Sequence, residues 1–361
     1  MVEADRPGNQ MSSGRSFGRL SVPDDKAISS ADDSTLMADI APKRQFVKDL
    51  KEGEEVESTF SVKFKKPVRK YARGFMFEIR LSDRSGEITA KYWGQGEEDA
   101  VRKIYGGFDA DDVVLIKGLA GSYRDVPEIA ISPENKGKIE RVELSCVDLT
   151  DFVDVSDNDL EVMGQEIKQA ISSVKGRHLR LLLERIFTDD FMGQFVMAPA
   201  SMWLHCNWVG GLAEHTLNVM RTCEFLSTSY PELDRDLLVA GALMHDIGKV
   251  LEYDVKTNID VSEEGMLRGH IIIGAEMVSR ACDQIDGMPD SLRLKVIHMV
   301  LSSHGELEFG SPKKPQFPEA VALHFADDID AKLEQYIAAK GKAQTEDPWI
   351  YDKRLGHIYL R

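Results

Sequence analysis

Cysteine is scarce in this 361-residue chain: Cys146, Cys206, Cys223 and Cys282 stand far apart, with no Cys-x-x-Cys pair among them. That spacing argues against a zinc ribbon or a disulfide framework and predicts reduced thiols. Long apolar runs are missing too. No stretch of eighteen apolar residues exists, so no membrane span is predicted. The N-terminus lacks a basic region followed by an apolar stretch, which removes the signature of a secretory signal and leaves a cytoplasmic protein as the expectation. Positive charge is also in short supply: 45 Lys and Arg face 61 Asp and Glu, for a formal net charge of −16. So acidic a chain can hold a polyanion only through a local basic patch.

Large apolar residues are sparse over residues 1–43, and a disordered tail is predicted there. From 44 to 147 the pattern changes to short alternating segments, at 56–64, 74–81, 87–93, 111–118 and 127–131, with turn signals such as Asp83-Arg84-Ser85-Gly86. Period-two alternation marks half-buried strands, and five of them in about 100 residues predict a small Greek-key barrel of the OB type. An acidic linker over 148–159 hands over to helical periodicity. Helices are predicted over Leu160–Ala170, His178–Phe187, Gly211–Leu226, Leu233–Tyr253, Gly269–Gln284, Ser291–Ser303 and Pro318–Lys340, which makes 160–340 an all-α bundle. The remainder, 341–361, is a tail too short to be a domain. The fold class is thus multidomain β plus α.

Seven of the nine histidines fall between 205 and 324, inside the predicted bundle. The segment 242–249 reads Ala-Leu-Met-His-Asp-Ile-Gly-Lys, an adjacent His245-Asp246 pair in apolar surroundings. Burying such a pair costs several kcal/mol unless something compensates, and a divalent cation is the usual compensation. His215 upstream and His270, His304 and Asp327 downstream each belong to another predicted helix or helix start; a bundle builds buried metal sites from facing helices in this way. Asp328 and Asp330 compete with Asp327 for the ligand position. His298, six residues before His304, falls on a different helix face and is assigned a supporting or core role. Mixed imidazole and carboxylate donors suit manganese, iron, cobalt, nickel or zinc. Lys249, at i+3 from Asp246, can reach the mouth of such a site and is assigned to a substrate phosphate.

A second feature answers the charge problem. Residues 63–73 carry six cations and no acid, Lys63, Lys65, Lys66, Arg69, Lys70 and Arg73, interleaved with Phe64 and Tyr71 and followed by Phe75. Cations that track a backbone beside rings that stack on bases are what single-strand binders use. Lys313 and Lys314, in a Pro-bounded loop past His304, form a smaller basic spot.

The order His215, His245-Asp246, Asp327 resembles the HD superfamily of metal-dependent phosphohydrolases. That resemblance implies one metal held by these four residues, a bridge through Asp246, and His270 and His304 as ligands of a second metal. With the barrel in front, and with Gly-Gly-Leu-Ala-Glu-His-Thr at 210–216 and His-Met-Val-Leu-Ser-Ser-His-Gly at 298–305, the chain is similar to the YhaM-type 3′→5′ exoribonuclease family over about 45–345. The likeness implies a homo-oligomeric hydrolase that shortens single-stranded RNA, with single-stranded DNA as an alternative substrate, to nucleoside monophosphates by metal-activated water. It implies manganese as the cofactor, with iron, cobalt, nickel or magnesium as alternatives and one or two ions per site. The chain departs from the family where paired histidines are usual, carrying Ser303-His304 and His205-Cys206. Two rival readings stand beside it: an HD-type nucleotide or cyclic-dinucleotide phosphodiesterase, and a non-catalytic single-strand-binding protein.

Overall fold

The structure, a computed structural model, describes residues 43–361 apart from 97, 202–207, 342, 344 and 346. The expected N-terminal tail lies outside the described residues, except that its last residue, Lys43, is packed on the barrel. The Lys43 ammonium is buried between the Thr59 carbonyl, Ser58 Oγ at 3.2 Å and Asp83 Oδ2 at 3.2 Å.

The N-terminal part holds β1 (Glu55–Lys65), β2 (Arg69–Tyr71), β3 (Gly74–Asp83), β4 (Gly86–Gln95), α1 (Glu98–Tyr105), β5 (Val113–Tyr123), β6 (Val126–Ile131) and β7 (Lys138–Val142). Pairing runs β1–β3–β4–β6–β5 and returns from β5 to β1, with β4 and β6 parallel. The expected five strands therefore close on themselves in the order of an OB fold. The short strands β2 and β7, which the pattern did not announce, extend the sheet beside β3 and β5. Alternation explains the core: Val56, Phe60 and Val62 of β1 meet Phe77, Ile79 and Leu81 of β3, Ile116 of β5 and Ile129 of β6 inside the barrel. A bulge between Val62 and Phe64 breaks the alternation, so Phe64 turns outward, 46% exposed, where strict period two would bury it.

The segment 148–159, expected as a linker, is packed. Phe152 and Val153 are buried, the Arg84 N–H donates to the Asp151 carbonyl, and the Val209 N–H donates to the Asp154 carbonyl.

Beyond it come α2 (Leu160–Ser173), α3 (Arg177–Ile186), α4 (Asp189–Met197), α5 (Gly211–Ser229), α6 (Arg235–Met244), α7 (Lys249–Glu252), a hairpin of β8 (Tyr253–Val255) and β9 (Ile259–Val261), α8 (Glu263–Cys282), α9 (Asp290–Leu301) and α10 (Pro318–Gly341). Side-chain caps start several of these helices: Asp159 accepts from Glu161 and Val162, Thr188 from Phe191, Asp234 from Leu237 and Ser262 from Gly265. Leu182, Leu183, Phe195, Leu212, Leu238, Leu243, Met299 and Leu323 fill the shared core. The helix expected over 233–253 is divided: after Met244 the N–H groups of Ile247, Lys249 and Val250 bond three residues back, which tightens the chain through 245–248 before α7. The tip of the β8–β9 hairpin reaches the barrel, where Thr257 is fully buried and bonds Ser61 Oγ at 2.8 Å and the Asp111 carbonyl at 3.2 Å. The C-terminal tail forms its own hairpin, β10 (Trp349–Asp352) with β11 (Gly356–Tyr359). Among the described residues no helix is long and apolar enough to cross a membrane.

Candidate metal centre and nucleic-acid surface

The tightened turn after α6 sets the centre. His245 and Asp246 sit where α-type bonding gives way, and both are buried. Gly248, two residues on, lets α8 approach closely, since a Cβ there would lie 2.0 Å from the His270 carbonyl oxygen. In α8 the chain turns at Gly269 (φ 70°), so His270 opens a fresh helical run facing Asp246. His304 follows the end of α9, His215 projects from the first turns of α5 and Asp327 from α10.

These residues gather into two trios, one of His215, His245 and Asp327, all buried, and one of Asp246, His270 and His304, the two histidines half-buried. In the first, His215 Nε2 lies 3.3 Å from His245 Nε2 and 3.2 Å from Asp327 Oδ1. In the second, His270 Nε2 lies 3.4 Å from His304 Nε2 and 3.5 Å from Asp246 Oδ1. Asp246 joins the two, its Oδ2 lying 3.4 Å from His245 Nε2 and 3.6 Å from His215 Nε2. Both Asp246 oxygens are buried and accept no hydrogen bond of regular geometry.

All four imidazoles turn the same way. Nδ1 faces an outer acceptor in each case: Asp330 Oδ2 at 2.6 Å for His215, the Ala242 carbonyl at 2.8 Å for His245, Glu252 Oε2 at 2.8 Å for His270 and the Phe309 carbonyl at 3.0 Å for His304. For His245 and His304 the carbonyl on Nδ1 places a proton there and directs Nε2 inward, the orientation a metal ligand needs, and Asp330 turns His215 the same way; the His270 contact with Glu252 is an ion pair without regular hydrogen-bond geometry. With Asp246 and Asp327 between them, the donor set fits divalent cations of the manganese-to-zinc series.

Charged neighbours dominate the electrostatics of the centre. Burial opposes charge on His215, but the carboxylates of Asp327 and Asp330 outweigh it and raise its pKa to about 9, so a cation binding there must displace the Nε2 proton. Burial would lift the Asp246 pKa, yet Lys249 and His245 hold it well below the usual carboxylate range. Lys249 is itself buried, its Nζ 2.6 Å from Asp246 Oδ2, so the ammonium lies inside the centre and not at the mouth where sequence spacing put it. Asp328 faces away and pairs with Lys332 at 2.7 Å. His298 stays out of both trios: its Nε2 accepts from the Gln316 N–H at 3.1 Å and its ring packs on Phe317.

Two supporting residues were not assigned from sequence. Asp330 entered only as a competing ligand, although its i+3 spacing from Asp327 puts both on one helix face. Glu252 went unnoticed; its Oε1 accepts the His270 backbone N–H at 3.0 Å and its Oε2 lies 2.8 Å from Nδ1. Of the residues where the family pairs histidines, Ser303 is buried with its hydroxyl on the Val300 carbonyl at 3.2 Å, and His205 and Cys206 lie outside the described residues.

The basic segment divides in two. Lys65 is lost to the surface: after the bulge its ammonium turns under the end of α1, onto the Tyr105 carbonyl at 2.7 Å and the Phe108 carbonyl, and the side chain is 10% exposed. Phe75 packs against the barrel core. Lys66 and Arg69 are exposed but both lean on Glu78, Lys66 at 2.7 Å. Lys63 faces a cleft toward residues 257–259. Lys70 and Arg73 are exposed, and Tyr71 packs edge-on to Trp93, 5.1 Å between centroids, in a cavity of about 330 Å³ shared with Arg73. Lys313 is exposed, and so is Lys314, which pairs with Glu306 at 2.6 Å.

Among solved structures the chain is similar to a p204 HINb domain, at 11% identity over 27% of this chain and 46% of that one (TM-score 0.21). It is also similar to a replication protein A heterotrimer bound to ssDNA, at 22% identity over 33% of this chain and 29% of that one (TM-score 0.23). The chain covers less than half of either, and overlaps this partial do not bear on function. The two trios, by contrast, fall within a matched unit: residues 212–332, inside the helical C-terminal part, match the family model of the HD domain.

Proposed function

We propose that this protein is a metal-dependent phosphodiesterase of the YhaM type, removing nucleotides from the 3′ end of single-stranded RNA and accepting single-stranded DNA. The observation that carries this reading is the common orientation of four imidazoles, Nδ1 outward and Nε2 inward, around an Asp246 carboxylate without regular hydrogen bonds. His215, His245, Asp246 and Asp327 would hold one divalent cation, and Asp246, His270 and His304 a second, manganese being the expected ion. When bound, such cations supply a nucleophile at neutral pH and neutralise charge on the phosphoryl oxygens.

The chain's own residues prepare for this. Asp330 and Glu252 fix the rings of His215 and His270 so that little reorganisation is needed on binding. Lys249 holds positive charge beside Asp246 on the buried side of the site, where a cation acts strongly on a phosphate. The half-burial of His270 and His304 leaves that side accessible to a polymer end. The barrel supplies the polymer preference: OB folds bind single strands on their second and third strands and the adjoining loop, here β3, β4 and the 66–73 connection with Lys66, Arg69, Lys70, Tyr71, Arg73 and Trp93. Phe64 and Lys63 adjoin that surface.

The test is 5′-labelled single-stranded RNA incubated with manganese or EDTA, beside a His245→Ala/Asp246→Ala variant. A stepwise ladder that vanishes with EDTA and in the variant supports the proposal. Binding without shortening in any metal would sink it, and turnover confined to mononucleotides or cyclic dinucleotides would reassign the substrate.

A further inference from the structure

The turn after His304 displays large apolar side chains that the bundle leaves uncovered: Leu307 is 67% exposed and Phe309 60%. Single exposed apolar residues are ordinary on protein surfaces. Phe309 differs in how firmly its backbone is held against the centre. Gly305 (φ 74°) and Gly310 (φ 89°) bracket the turn in left-handed conformations, and a Cβ at Gly305 would strike the His324 ring at 2.3 Å. The Phe309 carbonyl faces His304 Nδ1 at 3.0 Å, and the His304 N–H donates to buried Ser311 at 3.1 Å. The residue that orients His304 through its carbonyl therefore also presents an uncovered aromatic ring.

We infer that Phe309, with Leu307 beside it, is a stacking subsite for the terminal base of a single strand whose last phosphodiester lies at Asp246, His270 and His304. This rests on the phosphodiesterase reading. A nucleobase suits the place better than a protein segment. Glu306 and Glu308 flank the turn, but Lys314 answers Glu306 at 2.6 Å and the exposed Lys313 follows on the same loop, which sets a cation near the aromatic face, a pairing that single strands favour. Stacking is tolerant of base identity, which fits an enzyme that must accept each new end in turn.

The experiment uses the full chain and RNA ending in 2-aminopurine, with quenching followed by stopped flow before cleavage. Wild type quenches the probe, Phe309→Trp keeps the quench, and Phe309→Ala weakens affinity for the probe about tenfold. In steady state, wild type has a KM about tenfold lower for a 3′-terminal base than for an abasic 3′ end, and Phe309→Ala loses that discrimination. Equal quenching and equal discrimination in wild type and Phe309→Ala overturn the subsite. If wild type shortens RNA without dependence on Phe309, the subsite alone fails; if quenching depends on Phe309 but no RNA is shortened, the subsite stands and the exonuclease reading falls. Should Phe309→Ala unfold, the same comparison is read from Phe309→Leu, which keeps bulk and removes the aromatic face.

Discussion

A single methyl group at Gly248 should disable the second trio while sparing the first. Gly248 has φ −64°, open to any residue, so backbone strain plays no part in Gly248→Ala. Space decides instead. The new Cβ would lie 2.0 Å from the His270 carbonyl oxygen and 2.7 Å from the Gly274 nitrogen, both backbone atoms of α8 that cannot rotate away. Restoring van der Waals separation moves the helical run of α8 that follows Gly269 by about 1 Å, and His270 moves with it. Overpacking of this kind costs about 1–3 kcal/mol, a drop of several degrees in Tm. A displacement of that size in a catalytic group lowers turnover about 100-fold. Gly241→Ala is the matched control: its Cβ would meet Met299 Cε at 2.2 Å, but that is the tip of a flexible side chain in α9, and alanine gains helix propensity. Manganese titration with RNA hydrolysis gives the readout. Gly248→Ala should keep the tighter site and lose the weaker one, while Gly241→Ala keeps both and a rate within about threefold of wild type. Wild-type turnover in Gly248→Ala, or equal damage from the two substitutions, would refute the steric reasoning.

Three further outcomes follow from the geometry. Asp330→Ala should lower manganese affinity about 10–100-fold by freeing the His215 ring, whereas Asp328→Ala, whose carboxylate only meets Lys332, leaves it unchanged; calorimetric titration separates the two. Glu78→Gln should release Lys66 and Arg69, raising single-strand affinity and steepening the salt dependence by about 0.7 per phosphate gained, read from binding between low and high salt. The same pair has a pH signature. Lys66 holds Glu78 below its ordinary value of 4.5 against the effect of burial, so its contribution to stability is complete above that value and disappears as pH falls through the lowered one. Any Tm difference between wild type and Glu78→Gln should therefore vanish in acid. Manganese at 100 times its Kd should stabilise wild type by about 2.7 kcal/mol, and EDTA or His245→Ala should abolish the gain in a thermal melt.

The chemistry was more legible in the sequence than the architecture around it. His215, His245, Asp246, His270, His304 and Asp327 were identifiable because buried imidazole and carboxylate in apolar helices have few other uses, and the structure brings all six together. Strand alternation found all five barrel strands, since each shows one face to the core. What failed was whatever depends on a partner distant in sequence. The 63–73 run reads as uniformly basic, but Glu78 answers Lys66 and Arg69, and a one-residue bulge turns Lys65 inward. Local pattern likewise ran α6 and α7 together, because 245–248 keeps helical character while α8 dictates its tighter bonding. The β8–β9 hairpin went unseen: its three-residue strands are too short to show a period, and its tip is held by the barrel.

That hairpin changes how the two halves of the molecule should be regarded as a mechanical frame. Joined through 148–159 alone, the barrel could swing about one pivot, as domains with small interfaces commonly do. Thr257 makes a second tie, bonded to Ser61 and to the Asp111 carbonyl, and two ties triangulate what one would leave hinged. The brace is short: four residues stand between Glu252 and Thr257, and the Glu252 carboxylate accepts the His270 backbone N–H and lies 2.8 Å from its ring Nδ1. Load on the barrel therefore has a direct route along the chain, through Thr257 and the hairpin, to the residue that holds the His270 backbone.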